Sequence, residues 1–165
     1  LLESASDSDW AGCVTTRCST SGVMLWLCGA PVTAICRNQT VLSMSSPEAE
    51  YYACSVAFAE VRYVMSLLAD CGLSARCVHG TDSSSAIVHA SRLGLGGLRH
   101  MEVRFLWVQA EVRSGRISIK KIPGVENATD VATKHVDATT LSRCLASAGM
   151  RTWSASSAAL LSATF

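Results

Sequence analysis

The sequence predicts an α/β domain in which an antiparallel strand meander is followed by alternating helices and strands. Three observations carry this. Two β-type runs, 20–28 (TSGVMLWLC) and 31–37 (PVTAICR), are joined through Gly29-Ala30, a hairpin signal. The longest helical pattern comes next, from Ser46-Pro47 to a stop at Cys71-Gly72. After it, short strands and helices alternate, and a strand, long helix, strand order implies a crossover and a parallel pair.

Taken in order, the opening segment Ser6-Asp7-Ser8-Asp9-Trp10-Ala11-Gly12 reads as a first strand that would complete a three-stranded meander. Strand alternation sends Asp7 and Asp9 to one face, Ser8 and Trp10 to the other. Alternation does not choose between the two aspartates. In the long helix, Ser46 reads as the N-cap, Pro47 as its first-turn residue, and Ser45-Ser46-Pro47-Glu48 fits a capping box. Glu50, Ala53, Ala57, Val61, Val64 and Leu68 follow spacings of three and four and form one stripe facing the sheet. Glu48 lies about 200° round the helix from Glu50, so Glu50 is the acid aimed inward. A first-turn acid favoured by the helix dipole is the alternative for either glutamate.

Residues 76–79 then read as a strand, with Asp82 at its carboxyl end, where open α/β sheets place ligands. Asp82 is equally a good N-cap for a helix over 83–92. Gly94-Leu95-Gly96-Gly97 follows a helix instead of a strand, which argues against a phosphate loop. A helix over 98–113, a strand over 116–122 (RISIKKI) and two short helices over 126–134 and 137–148 complete the order. We expect one domain over 1–150 and a disordered Ser/Ala-rich tail over 151–165.

Composition narrows the function. Hydrophobic residues make up 49% and charged residues 16%, which argues for a globule and against disorder. The apolar stretch 22–36 is interrupted by Gly29 and Pro31 and is too short for a bilayer, so no membrane partner is expected. The chain starts at Leu1 without a basic segment leading an apolar run, so it reads as an intracellular piece of a longer protein, without a signal peptide. Eight cysteines show no CxxC pair and read as buried reduced thiols. A net charge of +1 excludes nucleic-acid binding by bulk field alone, although Arg113, Arg116, Lys120, Lys121 and Lys134 crowd the later third.

Asp7, Glu50, Asp82 and Asp130 are four acids without Cys or His companions, the donor type that hard divalent cations take. Two such ions about 4 Å apart would offset the repulsion and clamp a phosphodiester. The segments SDSDWAG, TRCSTSG, QTVLSMSSPEAEYYA, TDSSSAI, RHMEV and NATDVATK resemble, in order and spacing, the ribonuclease H domain of copia-type LTR retrotransposons over roughly residues 6–148.

That resemblance implies a ribonuclease H-like fold: a mixed five-stranded sheet, three antiparallel strands then two parallel, flanked by helices. It implies that Asp7, the first acid of the DxDW motif, holds metal with Glu50, Asp82 and Asp130, and that Asp9 has an outer or turn-stabilising role. Two magnesium ions, with manganese able to substitute, would support in-line hydrolysis of the RNA strand of an RNA/DNA hybrid, beside a reverse transcriptase of the same polyprotein. RNA would be recognised by contacts to 2′-hydroxyls. Ser19 and Ser46, with Thr16 and Ser21, are hydroxyls that could make them, with turn or cap duty as the alternative. Lys120, Lys121 and Lys134 are the phosphate candidates. The expected location is the cytoplasm, within a virus-like particle, or the nucleus.

Family members usually carry a tyrosine where Ala5 stands, a tryptophan where Ala34 stands, and Thr-Lys where Leu98-Arg99 stands. His100, at a helix start, reads as structural. An integrase or transposase of the same fold places its glutamate last, whereas Glu50 is second here. A non-catalytic hybrid-binding remnant of a decayed element is the alternative from another class.

Overall fold

The computed structural model describes residues 1–94 and 106–150, and their strands form one sheet in the order β3-β2-β1-β4-β5. The strands are β1 (Leu2–Asp9), β2 (Thr20–Leu27), β3 (Ala30–Asn38), β4 (Cys77–Thr81) and β5 (Ile117–Lys121). The first three pair antiparallel, while β4 runs parallel to β1 and β5 parallel to β4. This is the expected five-stranded mixed sheet. The parallel partner of β4 is β1, two strands back from the one that precedes the long helix. β3 keeps its outer side as an edge, with Pro31 and a largely exposed row of side chains that suit an unpaired margin.

The helices are α1 (Ser46–Asp70), α2 (Ser84–Ser91), α3 (Trp107–Arg113), α4 (Asp130–Thr133) and α5 (Ala138–Ser147). Alternation along β2 separates two apolar layers. Val23 and Leu25 join Leu2, Phe58, Val61, Met65, Val108 and Ile117 beneath α1, α2 and α3. Met24 and Trp26 join Ala128, Val131, Ala148 and Met150 on the other face, where Trp26 Nε1 donates to the Ala148 carbonyl at 2.9 Å. The α1 stripe is wider than its spacing suggests. Ala53, Ala57 and Val61 are buried as expected, but Cys54, Phe58 and Met65 are buried too, because a helix lying across a twisted sheet and beside α2 needs two adjacent apolar rows. By length and composition α1 could cross a membrane, yet this buried face makes it the core helix of the domain.

Several local expectations shift by a residue or two. The hairpin turn is Cys28-Gly29, with φ values of 51° and 82°, so both central residues occupy the left-handed region that a two-residue type I′ loop requires. The cap of α1 is Ser45 and not Ser46, and its side chain makes no cap bond; Glu48 instead accepts from the Met44 N–H at 2.8 Å. Ser83, not Asp82, caps α2 and accepts from Ala86 N–H at 3.2 Å, which leaves Asp82 free of cap duty. The helix expected over 126–134 becomes a 3₁₀ turn, Gly124–Glu126, and the one-turn α4.

All eight cysteines are free, but Cys54, Cys77 and Cys144 alone are buried; Cys28, Cys36 and Cys71 are exposed at a turn, an edge strand and a helix end. Most of the glycine-rich stretch, His100 and the tail over 151–165 lie outside the described residues.

Candidate active site

Strand register brings the acids together. The parallel β1/β4 ladder pairs Leu2 with Cys77 and Ala5 with Gly80, and the same offset carried two residues further sets Asp82 beside Asp7. Glu50, in the first turns of α1, comes to the same end of the sheet from the face above. One carboxylate oxygen from each of Asp7, Glu50 and Asp82 lies within 4.8 Å of the others. Three like charges so close are costly unless protons or cations offset them.

The electrostatics show that cost. Burial, then the Asp7 and Asp82 charges, push the Glu50 carboxyl up to about 8. Burial likewise raises Asp7 above its ordinary value, although Thr133 and Lys134 pull it back. The Ser8 hydroxyl and backbone adjoin Glu50 closely enough to pull its pKa partly back, yet neither Ser8 Oγ nor Glu50 Oε2, both buried, has a partner in hydrogen-bond geometry. An orphaned buried carboxylate oxygen within a set of hard oxygen donors is what a divalent cation satisfies, so these residues fit magnesium or manganese.

The fourth acid is placed differently. Asp130 heads α4 on the opposite face and is not among the three mutually close carboxylates. It is tied to them by Lys134, whose Nζ lies 2.8 Å from Asp130 Oδ1 and 3.2 Å from Asp7 Oδ2, with Asp7 Oδ1 at 3.3 Å. Burial opposes the Lys134 charge, but the Asp130 hydrogen bond and the Asp7 charge outweigh it and hold the ammonium above its usual value. Thr133 Oγ1 also donates to Asp7.

Gly22 makes this approach possible. It pairs with Asp7 in the β1/β2 ladder, and a Cβ there would stand 2.8 Å from Thr133 Cγ2 and 2.9 Å from the Thr129 carbonyl. Asn127, fully buried, pins the same segment to β1 by donating to the Ser6 carbonyl at 3.2 Å.

Other expected residues take other places. Ser19 is fully buried and accepts from Ala11 N–H at 3.0 Å, so it braces the 10–19 turn instead of facing a nucleic acid. Ser21 is equally buried beneath the Gln39 amide, at 3.0 Å. Ser46 is exposed at the start of α1. Lys121 donates to Ser84 Oγ, and Lys120 lines a shallow cavity of about 250 Å³ with Glu3 and Glu126. Asp9 accepts from Thr20 N–H and holds the β1–β2 connection, in keeping with a turn role.

Two features escaped sequence reasoning. Glu48 is more buried than Glu50, at 1% against 8% exposure, because Tyr52 Oη donates to it at 2.6 Å and the Met44 N–H caps it. The i,i+4 pairing of Asp130 with Lys134 was a readable signal of their contact, but the reach of Lys134 to Asp7 needed the tertiary fold.

Beneath the acids, His79 is fully buried. Its Nδ1 is 2.8 Å from Ser4 Oγ and its Nε2 is 3.1 Å from Ser6 Oγ, and burial lowers its pKa to about 3, which keeps the ring neutral.

No family model matches the chain. Its sequence is 28% identical over 152 residues to the retrovirus-related Pol polyprotein from transposon TNT 1-94 of Nicotiana tabacum, an alignment that covers 91% of this chain and 11% of that protein. It is 23% identical over 141 residues to the corresponding polyprotein from transposon RE1 of Arabidopsis thaliana, covering 84% of the chain and 10% of that protein. The chain thus spans about a tenth of the length of these relatives.

Among solved structures it resembles LC11-RNase H1 in complex with an RNA/DNA hybrid, with a TM-score of 0.54 and 13% identity over 81% of this chain and 94% of that one. It also resembles RNase H1 from Halobacterium salinarum, with a TM-score of 0.52 and 19% identity over 80% of this chain and 93% of that one. Fold and relatives agree with the family that the motifs resemble: the chain has the ribonuclease H-like fold, and its homologues are copia-type retrotransposon Pol polyproteins, consistent with a ribonuclease H domain of such a polyprotein.

Proposed function

We propose that the chain is a metal-dependent endonuclease that hydrolyses the RNA strand of RNA/DNA hybrids during reverse transcription of a retrotransposon. The observation that carries the reading is the meeting of Asp7, Glu50 and Asp82 from three separate elements, with Glu50 Oε2 left unpartnered. The fold and the Pol relatives support it.

Asp7, Glu50, Asp82 and Asp130 would hold two divalent ions, magnesium or manganese, which when bound supply Lewis-acid stabilisation of the phosphoryl group and the leaving oxygen. The chain's own residues prepare that site. Thr133 fixes the Asp7 carboxylate against β1. Glu50, whose carboxyl is pushed up to about 8 by burial and then by the Asp7 and Asp82 charges, would have to be deprotonated to serve as a ligand. Gly124 closes the site behind Asp82, where a Cβ would stand 3.1 Å from Asp82 Oδ2.

Ser46, at the start of the helix that carries Glu50, and Thr16, in the β1–β2 connection, are exposed, so these hydroxyls, not the buried Ser19, are the candidates for contact with a hybrid. Lys120 and Lys121 are exposed on β5 and would meet phosphates. The domain would act beside the reverse transcriptase of its polyprotein, in a cytoplasmic particle or the nucleus. The glutamate's place as second acid favours hydrolysis over the integrase type of strand transfer.

Incubation of the chain with an end-labelled RNA/DNA hybrid and magnesium tests the reading, beside Asp7→Asn and Glu50→Gln. Cleavage of the RNA strand alone, lost in both variants, is expected. Cleavage retained by both variants would place the chemistry elsewhere, and an inert wild type that still binds hybrid would favour a binding remnant.

A further inference from the structure

The two halves of the acidic site are not equivalent. On the α1 side Glu50 Oε2 is buried with no partner. On the α4 side a cation is already in place, since Lys134 Nζ bridges Asp7 and Asp130 at 2.8 to 3.3 Å. The side chain of Lys134 is 46% exposed, against 2% for Asp7 and 21% for Asp130, so the lysine reaches in from solvent to acids that stay put. Its backbone is pinned, because its N–H donates to the Asp130 carbonyl at 2.9 Å. The side chain can therefore swing outward without moving α4.

Resting on the proposed two-cation reading, we infer that Lys134 is the resident counter-ion of the Asp7/Asp130 half and makes ion loading stepwise. The first divalent cation enters at Asp7, Glu50 and Asp82, where, among the described residues, Lys134 touches Asp7 but no cation is paired with Glu50 or Asp82. The second enters between Asp7 and Asp130 only as the Lys134 ammonium withdraws, because an ammonium at contact distance from both carboxylates repels an incoming ion. The lysine thereby sets the ion concentration at which the site is complete, and it leaves an ammonium at the mouth of the site once the second ion is in.

Calorimetric titration of the whole chain with manganese chloride, without nucleic acid, tests this. Wild type should show a first ion and a distinctly weaker second one. Lys134→Met should tighten the second ion by about tenfold or more, the scale of one charge removed at contact distance, with a smaller change in the first. Lys134→Arg should restore the wild-type gap, and Asp130→Asn added to Lys134→Met should abolish the gain at the second ion. Melting curves of Lys134→Met and Lys134→Gln confirm folded protein before titration, and either variant serves.

An unchanged gap between the two ions in Lys134→Met, equal tightening of both, or an arginine variant that behaves like methionine would overturn the inference. If wild type cleaves hybrids while the gap is insensitive to Lys134, the inference fails alone. If wild type binds no manganese, the two-cation reading falls with it.

Discussion

Strands β1 and β4 bury polar side chains at two levels, and the levels solve the same problem in opposite ways. In the middle of the sheet, Ser4, Ser6 and His79 are nearly or fully buried and satisfy one another, with the imidazole bonded at both nitrogens. Further along, Asp7 near the end of β1 and Asp82 just past the end of β4 meet Glu50, and one carboxylate oxygen has no partner. Asp7 and Glu50 are buried as the lower set is, while Asp82 is half-buried. The lower set is complete in itself and acts as structure. The upper set is complete only with something the chain does not contain.

Breaking the upper set should give the largest effect. Asp82→Asn or Glu50→Gln is expected to lower hybrid cleavage by about 10²–10³-fold or more, while raising the melting temperature without divalent ions: Asp82→Asn by removing a like charge, Glu50→Gln above about pH 8, where the Glu50 carboxyl is charged. A variant that loses stability as well as cleavage would show that the upper acids are structural. Breaking the lower set should do the reverse: His79→Ala should cost about 2–4 kcal/mol in denaturant unfolding, from a cavity plus two buried hydroxyls left with only weak cysteine-sulfur partners.

The two levels also respond oppositely to pH. Glu50 binds its proton more tightly in the folded state, at about 8 against a usual 4.5, so ion-free stability should be full below pH 4.5 and decline as pH rises towards 8. The decline should amount to a few kcal/mol, and Glu50→Gln should flatten it. His79, neutral and depressed to about 3 from 6.5, contributes stability that is full above pH 6.5 and is lost as pH falls towards 3. Thermal melts across pH 3–9 in chelator should show both slopes, with saturating magnesium suppressing the alkaline one. The smallest effect is expected at Gly22→Ala. The added Cβ collides with Thr133 and the Thr129 carbonyl, which should cost about 1–3 kcal/mol and loosen the hold of α4 on Asp7.

Elements with strong periodicity were legible in the sequence. The 20–27 strand and the 46–70 helix follow from spacing, since apolar faces must be buried wherever they lie; spacing turned Glu50 inward but not Glu48, which a tyrosine hydroxyl and the Met44 N–H bury more deeply still. Caps and turns were less legible: Ser45, Ser46, Asp82 and Ser83 are all competent cap residues, and one-residue differences between them depend on where the chain enters each helix. Asp7 could be set apart from Asp9 by resemblance alone. The structure shows the physical difference, because Asp7 meets Glu50 and Asp82 while Asp9 is spent on the Thr20 amide.

The sequence by itself determined which groups exist and which faces they share: a meander, a core helix headed by Glu50, an acid at the end of a strand, and a lysine one turn after Asp130. These are local facts, governed by periods of two and 3.6 residues. The tertiary structure alone decided which groups meet across the chain. Asp7 reaches Asp82 through parallel pairing, and Lys134 reaches Asp7 because Gly22 leaves room for α4. Contacts between residues so far apart in sequence have no local signature, since they arise from register and close approach, and it is those contacts that turn four separate acids into a site with one filled half and one open half.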